Sequence, residues 1–195
     1  MRRMLLAIVL VLALVPARAQ RNTGYWEDYV QYVPLAMDLG LDLAGARSID
    51  GYPDILIATA SSYLSMAIMV NGLKLIVNEQ RPNGTQNDSF PSGHTALAYT
   101  GAELVRLEYG WGWGAAAYVA ATAVAYGRVA HDTHYWWDTT AGALIGIASA
   151  QIGYHSVLPL KRLFGIEVSG DAQVSLAPAV DPFSGAVGTR LSLVF

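Results

Sequence analysis

The sequence contains no cysteine among its 195 residues and has few charged side chains. Without a thiol there is no cysteine nucleophile, no disulfide framework and no thiolate ligand for a metal. Charged residues make up 14% of the chain and the net charge is −3, so the composition does not indicate a nucleic acid as partner. We also find no internal repeat and no low-complexity linker. The length suits one domain with a sizeable core.

Apolar residues make up 53% of the chain, which is a larger share than in ordinary soluble domains. Residues 1–19 have the pattern of an export signal: two arginines, a short apolar run and the small residues Ala17 and Ala19 at a cleavage site. The alternative is an uncleaved N-terminal anchor. We therefore expect export to the bacterial envelope.

The order of apolar segments predicts an all-α fold over residues 20–165, an antiparallel bundle of about five to six helices. The predicted helices cover residues 25–46, 55–77, 94–107, 111–127 and 138–158. Alanine and glycine are dense in the last two, which lets helices approach closely. In residues 166–195 apolar and polar side chains alternate on both sides of a turn. This tail is predicted to form a short β-hairpin.

The charged residues of the apolar region gather at the ends of the predicted helices. If consecutive helices run antiparallel, these ends lie at one face of the bundle. The residues that would converge there are Lys74, Arg81, Arg128, His94, His134 and Asp138. Three cations, two imidazoles and a carboxylate suit phosphoryl transfer, in which catalysis is mostly positioning and electrostatic stabilisation.

The phosphate-binding hypothesis has a physical reason for each residue type. Arg81 and Arg128 can each hold two oxygens with a planar guanidinium group, and Lys74 adds a point charge. The segment Pro91–His94 begins a helix, where free N–H groups favour an anion. Gly93 has no side chain, so the backbone can come close to a ligand there.

The two histidines are predicted to divide the chemical work. His134 and Asp138 are spaced i, i+4, so a helix places them on one face. A carboxylate on one ring nitrogen fixes the tautomer and leaves the other nitrogen free to attack phosphorus. His94 is the candidate general acid that protonates the departing oxygen. Each residue alone has an ordinary structural explanation, and it is their joint spacing that supports the hypothesis.

Three segments resemble the motifs of the type-2 phosphatidic acid phosphatase (PAP2) superfamily, which also contains bacterial acid phosphatases and vanadium haloperoxidases. The segments are Lys74, six residues and Arg81-Pro82; Pro91-Ser92-Gly93-His94; and Gly127-Arg128, five residues, His134, three residues and Asp138. Gly127 stands where the family pattern has serine. His131 and Asp132 fit no family position and are expected at the rim.

The resemblance implies the same division of roles among the motif residues. Phosphate would be bound by Lys74, Arg81, Arg128 and the backbone of Ser92 and Gly93, while His94 is the acid, His134 the nucleophile and Asp138 its partner. No metal and no cofactor are expected.

The predicted function is a metal-independent phosphatase that hydrolyses a phosphomonoester or pyrophosphate through a phosphohistidine. The apolar helices favour a membrane-associated protein, with its active site facing the periplasm and a lipid substrate such as phosphatidate, phosphatidylglycerol phosphate, an isoprenyl pyrophosphate or lipid A. A soluble periplasmic acid phosphatase acting on small phosphomonoesters is the alternative. A vanadate-dependent haloperoxidase and a non-catalytic envelope protein are two further classes.

Overall fold

The protein is described here from a computed structural model, which covers residues 24–46, 48–49, 51–164, 173–180 and 187–194. The predicted signal or anchor over residues 1–19 lies outside the described residues. The helices are α1 (Glu27–Val30), α2 (Val33–Leu43), α3 (Tyr52–Ile76), α4 (Gly93–Ala130) and α5 (Trp136–Leu163). The strands β1 (Gln173–Val180) and β2 (Val187–Val194) pair in an antiparallel register.

The chain divides into two compact units, one that ends at Val157 and one that begins at Leu158. In the described part of the first unit all regular structure is helical, which confirms the predicted helical class. The number of five to six helices, the domain bounds and the hairpin as a separate tail stay predictions.

Helix α4 turns back on itself at Gly110, whose φ of 76° and ψ of −176° are not helical. The positive φ favours glycine at this position. Across the turn, the Tyr118 hydroxyl in the second half donates to a Glu103 carboxylate oxygen in the first half at 2.6 Å. The two halves therefore run antiparallel and correspond to the predicted helices over 94–107 and 111–127. Both ends of α4 come to the same end of the bundle.

The core of the first unit lies between α3, the first half of α4 and α5. Its larger buried apolar side chains are Tyr63, Met66, Val70, Leu97, Leu104, Ile145 and Val157. Helix α5 approaches α4 very closely, because a Cβ at Gly146 would stand 2.5 Å from the carbonyl oxygen of Ala96. At Gly142 it would stand 2.5 Å from the carbonyl oxygen of Ser92. These glycines bring the start of α5 against the start of α4.

Two prolines change the predicted helix bounds. The helix expected over residues 25–46 is interrupted after α1, and Pro34 occupies the first turn of α2, where a missing N–H is tolerated. Pro159, which was expected to end the last helix, lies inside α5 instead, and the helix continues to Leu163. Because Pro159 has no backbone N–H, one hydrogen bond is missing from this turn of α5.

Two of the described helical segments, Pro53–Ile76 and Trp136–Leu163, are long and apolar enough to cross a membrane. This criterion concerns length and composition only, and the core helix of a soluble protein meets it as well. Both segments carry exposed apolar side chains, such as Ile68 on α3 and Leu144 on α5.

We expect Gly146→Ala to lower the free energy of unfolding by about 1–3 kcal/mol, because the added methyl group meets backbone atoms of α4. Gly72→Ala on α3 is the matched control, since nothing lies within 4 Å of a Cβ there. That change should be neutral or stabilising by up to about 1 kcal/mol, because alanine favours helix. Denaturant unfolding of both variants would measure the difference, and equal destabilisation would contradict the proposed close contact.

Candidate active site

The residues predicted to bind phosphate come from three segments that meet at one end of the bundle. These are the loop between α3 and α4, the start of α4, and the connection from α4 to α5. Backbone hydrogen bonds join them: Ser92 N–H donates to the carbonyl of Asp138 at 3.0 Å, and His134 N–H donates to the carbonyl of Arg128 at 3.1 Å. The short connection thus places His134 and Asp138 beside the motif that opens α4.

His134 lies in the connection just before α5, so it does not share a helix face with Asp138, which is in the first turn of α5. Both residues are buried. His134 Nδ1 is 3.5 Å from Asp138 Oδ2, which is longer than an ordinary hydrogen bond but within the range of an ion pair. The same carboxylate oxygen accepts hydrogen bonds from the Ser89 hydroxyl and, at 2.9 Å, from the Tyr135 N–H. These donors fix the carboxylate in front of the imidazole.

Burial and neighbouring charges act on His134 in the same direction. The pKa of His134 falls from 6.5 to about 4, chiefly because burial disfavours the imidazolium ion. The Asp138 hydrogen bond opposes the shift, while the positive charges of Arg128, Arg81 and Lys74 add to it. His134 is therefore a neutral imidazole at neutral pH, as a nucleophile must be.

Arg128, at the end of α4, is completely buried. Its NH1 lies 3.2 Å from Asp28 Oδ1 and 3.7 Å from Glu27 Oε1. Its Nε and NH2 have no hydrogen-bond partner among the described residues. A buried guanidinium group with two free nitrogens is costly unless an anion completes its bonding, so these nitrogens define a candidate anion site.

Arg81 and Lys74 are held by one residue of the α3–α4 loop, Asp88. Arg81 Nε is 2.8 Å from Asp88 Oδ1, and Arg81 NH2 is 3.3 Å from Asp88 Oδ2. The Lys74 ammonium group donates to the Asp88 carbonyl oxygen. The sequence analysis did not single out Asp88, although it lies inside the polar loop between the motifs.

The structure differs from the prediction at Ser92. Its N–H already donates to the Asp138 carbonyl, and its hydroxyl pairs with Thr95 Oγ1 at 3.0 Å. Ser92 therefore links α4 to α5 rather than offering an N–H to phosphate. Gly93 begins α4, so its amide and those of the following two residues have no partner within the helix and are the better candidate donors.

His94 is buried beside an acidic residue that the sequence analysis did not consider. Its Nε2 lies 2.9 Å from Asp28 Oδ1, and its Nδ1 has no hydrogen-bond partner among the described residues. Glu27 and Asp28 are the first two of the four residues of α1, and both are buried. The only sequence signal for this contact was the acidic pair Glu27-Asp28 within an aromatic run. The contact of this pair with α4 depends on the tertiary fold and leaves no pattern in the sequence.

The predicted rim residue His131 is part of the same contact. Its Nδ1 lies 2.9 Å from Glu27 Oε1, and its ring stacks on Tyr25 with centroids 3.9 Å apart. Among the described residues, no three His, Asp or Glu side chains form a group that could hold a metal ion.

Comparison with known proteins identifies the family. The PAP2 superfamily matches residues 54–162, which is more than half of the chain, and the chain therefore belongs to this superfamily. The match includes all eight candidate site residues.

Two curated relatives resemble part of the chain. Lipid A 1-phosphatase of Porphyromonas gingivalis is 34% identical over 129 residues, which are 64% of this chain and 29% of that protein. Bacitracin transport permease protein BcrC of Bacillus licheniformis is 38% identical over 93 residues, 46% of this chain and 41% of that protein. The chain thus matches less than half the length of either relative.

The crystal structure of Aquifex aeolicus LpxE has a similar fold. It matches with a TM-score of 0.54 at 22% sequence identity, over 77% of this chain and 94% of that chain. This similarity supports the helical architecture of the family.

Acidification should destabilise the protein through His134. Between pH 6.5 and about 4 the His134 imidazole takes up a proton in the unfolded chain but not in the native protein. The contribution of His134 to the free energy of unfolding is therefore complete above this window and is lost as pH falls through it. The contribution is at most about 1.4 kcal/mol per pH unit. Unfolding measured at several pH values in phosphate-free buffer should show a shallower slope for His134→Gln. His155→Gln, at an exposed histidine outside the site, is the control, and equal slopes in all three proteins would contradict the prediction.

Proposed function

We propose that the protein is a metal-independent phosphatase of the PAP2 superfamily that forms a phosphohistidine at His134. The observation that carries this proposal is the buried Arg128, whose Nε and NH2 have no partner among the described residues. Two buried histidines belong to the same charge cluster, since Arg128 acts on the pKa values of both His94 and His134. An oxyanion bound by Arg128 would therefore lie near a neutral nucleophile and a second imidazole.

In the first step His134 Nε2 attacks phosphorus while the bond to the leaving oxygen breaks. Asp138 orients the ring through Nδ1 and stabilises the positive charge that develops on it. Arg81, Arg128 and Lys74 stabilise the equatorial oxygens of the transferring group. His94 donates its proton to the leaving oxygen, so the product departs as an alcohol or a phosphate rather than as an alkoxide.

In the second step water attacks the phosphohistidine. His94, now deprotonated, accepts a proton from this water, and the N–P bond breaks to release inorganic phosphate and neutral His134. The acid and the base are thus the same residue in the two steps. Only groups of the protein take part, so we expect the reaction to need neither a metal nor a cofactor.

A phosphorylated lipid is the substrate class that we propose, with a membrane-associated protein whose site faces the periplasm. Exposed aromatic side chains near the candidate site in sequence support this proposal: Tyr25, Trp26, Tyr29, Tyr126, Trp136 and Trp137. Tryptophan and tyrosine are enriched where a protein meets the membrane–water interface. The lipid A 1-phosphatase relative, which is named for a phosphorylated lipid, is consistent with this substrate class. Lipid A, isoprenyl pyrophosphate, phosphatidate and phosphatidylglycerol phosphate share the required phosphoryl group.

The test is phosphate release from purified protein in detergent, with lipid phosphates and an aryl phosphate as substrates. We expect EDTA to leave the rate unchanged and His134→Ala to abolish hydrolysis of every substrate, because no leaving group can replace the nucleophile. His155→Ala, at an exposed histidine outside the site, is the matched control and should keep full activity.

Other outcomes would redirect the assignment. Turnover in His134→Ala, or loss in EDTA that a divalent cation restores, would contradict the mechanism. Hydrolysis of small phosphomonoesters without lipid phosphates would favour the soluble acid phosphatase. Halide oxidation with added vanadate, in the absence of phosphate release, would favour a haloperoxidase.

A further inference from the structure

The short helix α1 contributes to the candidate site although none of its residues belongs to the family motifs. Asp28 Oδ1 lies 2.9 Å from His94 Nε2 and 3.2 Å from Arg128 NH1. One carboxylate oxygen thus contacts the candidate general acid and the buried phosphate-binding arginine together. The side chains of all three residues are nearly inaccessible to solvent, so this contact is little screened.

The Asp28 carboxylate is held from its other side as well. Gly24 N–H donates to Asp28 Oδ2 at 2.9 Å, and the Gln31 side-chain amide donates to the Asp28 carbonyl at 2.7 Å. These contacts come from the residues that flank α1. The second carboxylate oxygen of Asp28 is therefore held by a backbone donor, while the Gln31 contact is made to the backbone of α1.

Gly127 makes room for α1 at the position where the family pattern has serine. A Cβ at Gly127 would stand 2.8 Å from Trp26 Cζ2 and 3.2 Å from Glu27 Oε2. The first distance is shorter than real Cβ contacts, so the Trp26 ring would have to move. Glycine rather than serine at position 127 thus lets Trp26, and with it the start of α1, lie against the end of α4.

We propose that Asp28 is a positioning residue, held in place by the contact between Trp26 and Gly127, that aligns His94 for proton donation and fixes the Arg128 guanidinium group. This inference rests on the proposed phosphatase function. Burial lowers the pKa of His94 from its usual value, and the charges of Arg128 and Arg81 add to this shift, whereas the contact with Asp28 opposes it. Asp28 supplies the opposing negative charge, as Asp138 does for His134. The site then has two histidine–aspartate pairs, one for attack and one for proton transfer.

Asp28→Asn should reduce turnover most for substrates whose leaving group needs a proton. General acid catalysis contributes about a hundredfold to ten-thousandfold, so we expect a loss of at least about tenfold on an alkyl or lipid phosphate. The loss on nitrophenyl phosphate should be much smaller, because nitrophenolate is a weak base. The measurement is kcat over a panel of leaving groups of graded acidity.

Asp54→Asn is the matched control for removal of a carboxylate, because Asp54 lies in the first turn of α3, at the opposite end of that helix from Lys74. It should keep wild-type rates on the whole panel. A uniform loss across the panel in Asp28→Asn would overturn the positioning role. A gain in activity or a lower KM would overturn it too, because Asp28 would then compete with the substrate for Arg128.

The Gly127 contact gives a second test that does not remove the carboxylate. Gly127→Ala should reproduce the leaving-group dependence of Asp28→Asn, because the added methyl group meets the Trp26 ring and displaces the start of α1. Gly112→Ala on the same helix is the control, since nothing lies within 4 Å of a Cβ there. Wild-type rates on the whole panel in Gly127→Ala would overturn the role of this contact. This variant provides the test if Asp28→Asn does not fold.

The two levels of the proposal fail in different ways. If the wild type releases phosphate and His134→Ala does not, the proposed function stands, and a flat leaving-group response in Asp28→Asn overturns only this inference. If the wild type releases no phosphate from any substrate, the proposed function fails first and the inference with it.

Discussion

The burial of the Arg128 guanidinium group is the constraint on which the arrangement of the site depends. Removing a charge from water is expensive unless the fold supplies partners for it. The chain provides Asp28 and Glu27 on one side of the group and leaves two nitrogens for a ligand. The contacts of α1 with the end of α4 keep the Arg128 guanidinium group buried and oriented.

The helices meet this requirement through close packing rather than through large apolar side chains. Gly110 reverses α4, so that His94 at its start and Arg128 near its end lie at one end of the bundle. Gly142 and Gly146 let α5 approach the first half of α4, which sets Asp138 beside the loop motif. Rigid helices of this kind hold catalytic groups more precisely than loops alone would.

The structure brings the motif residues to one end of the bundle, as the sequence predicted, but the residues that surround them were not predicted, for a physical reason. In a chain with few charges, cations and imidazoles at fixed spacings stand out, and the turn at Gly110 was visible as a break between two apolar runs. Asp28 was not predicted, because its contact with His94 joins distant parts of the chain and has no periodicity. The hydrogen bond from the Ser92 N–H to the Asp138 carbonyl was not predicted either, because it depends on how closely α5 packs.

The most direct test of this account is whether the buried cluster binds a tetrahedral oxyanion through Arg128. A ligand that binds only the native state raises the unfolding temperature as its concentration rises above its dissociation constant. We expect orthovanadate, a phosphate mimic, to raise the unfolding temperature of the wild type and of Arg106→Lys, an arginine on α4 that pairs with Glu103. In Arg128→Lys, which keeps the charge but loses the planar fork, the rise should be absent or much smaller. An equal rise in all three proteins would contradict the central role of Arg128.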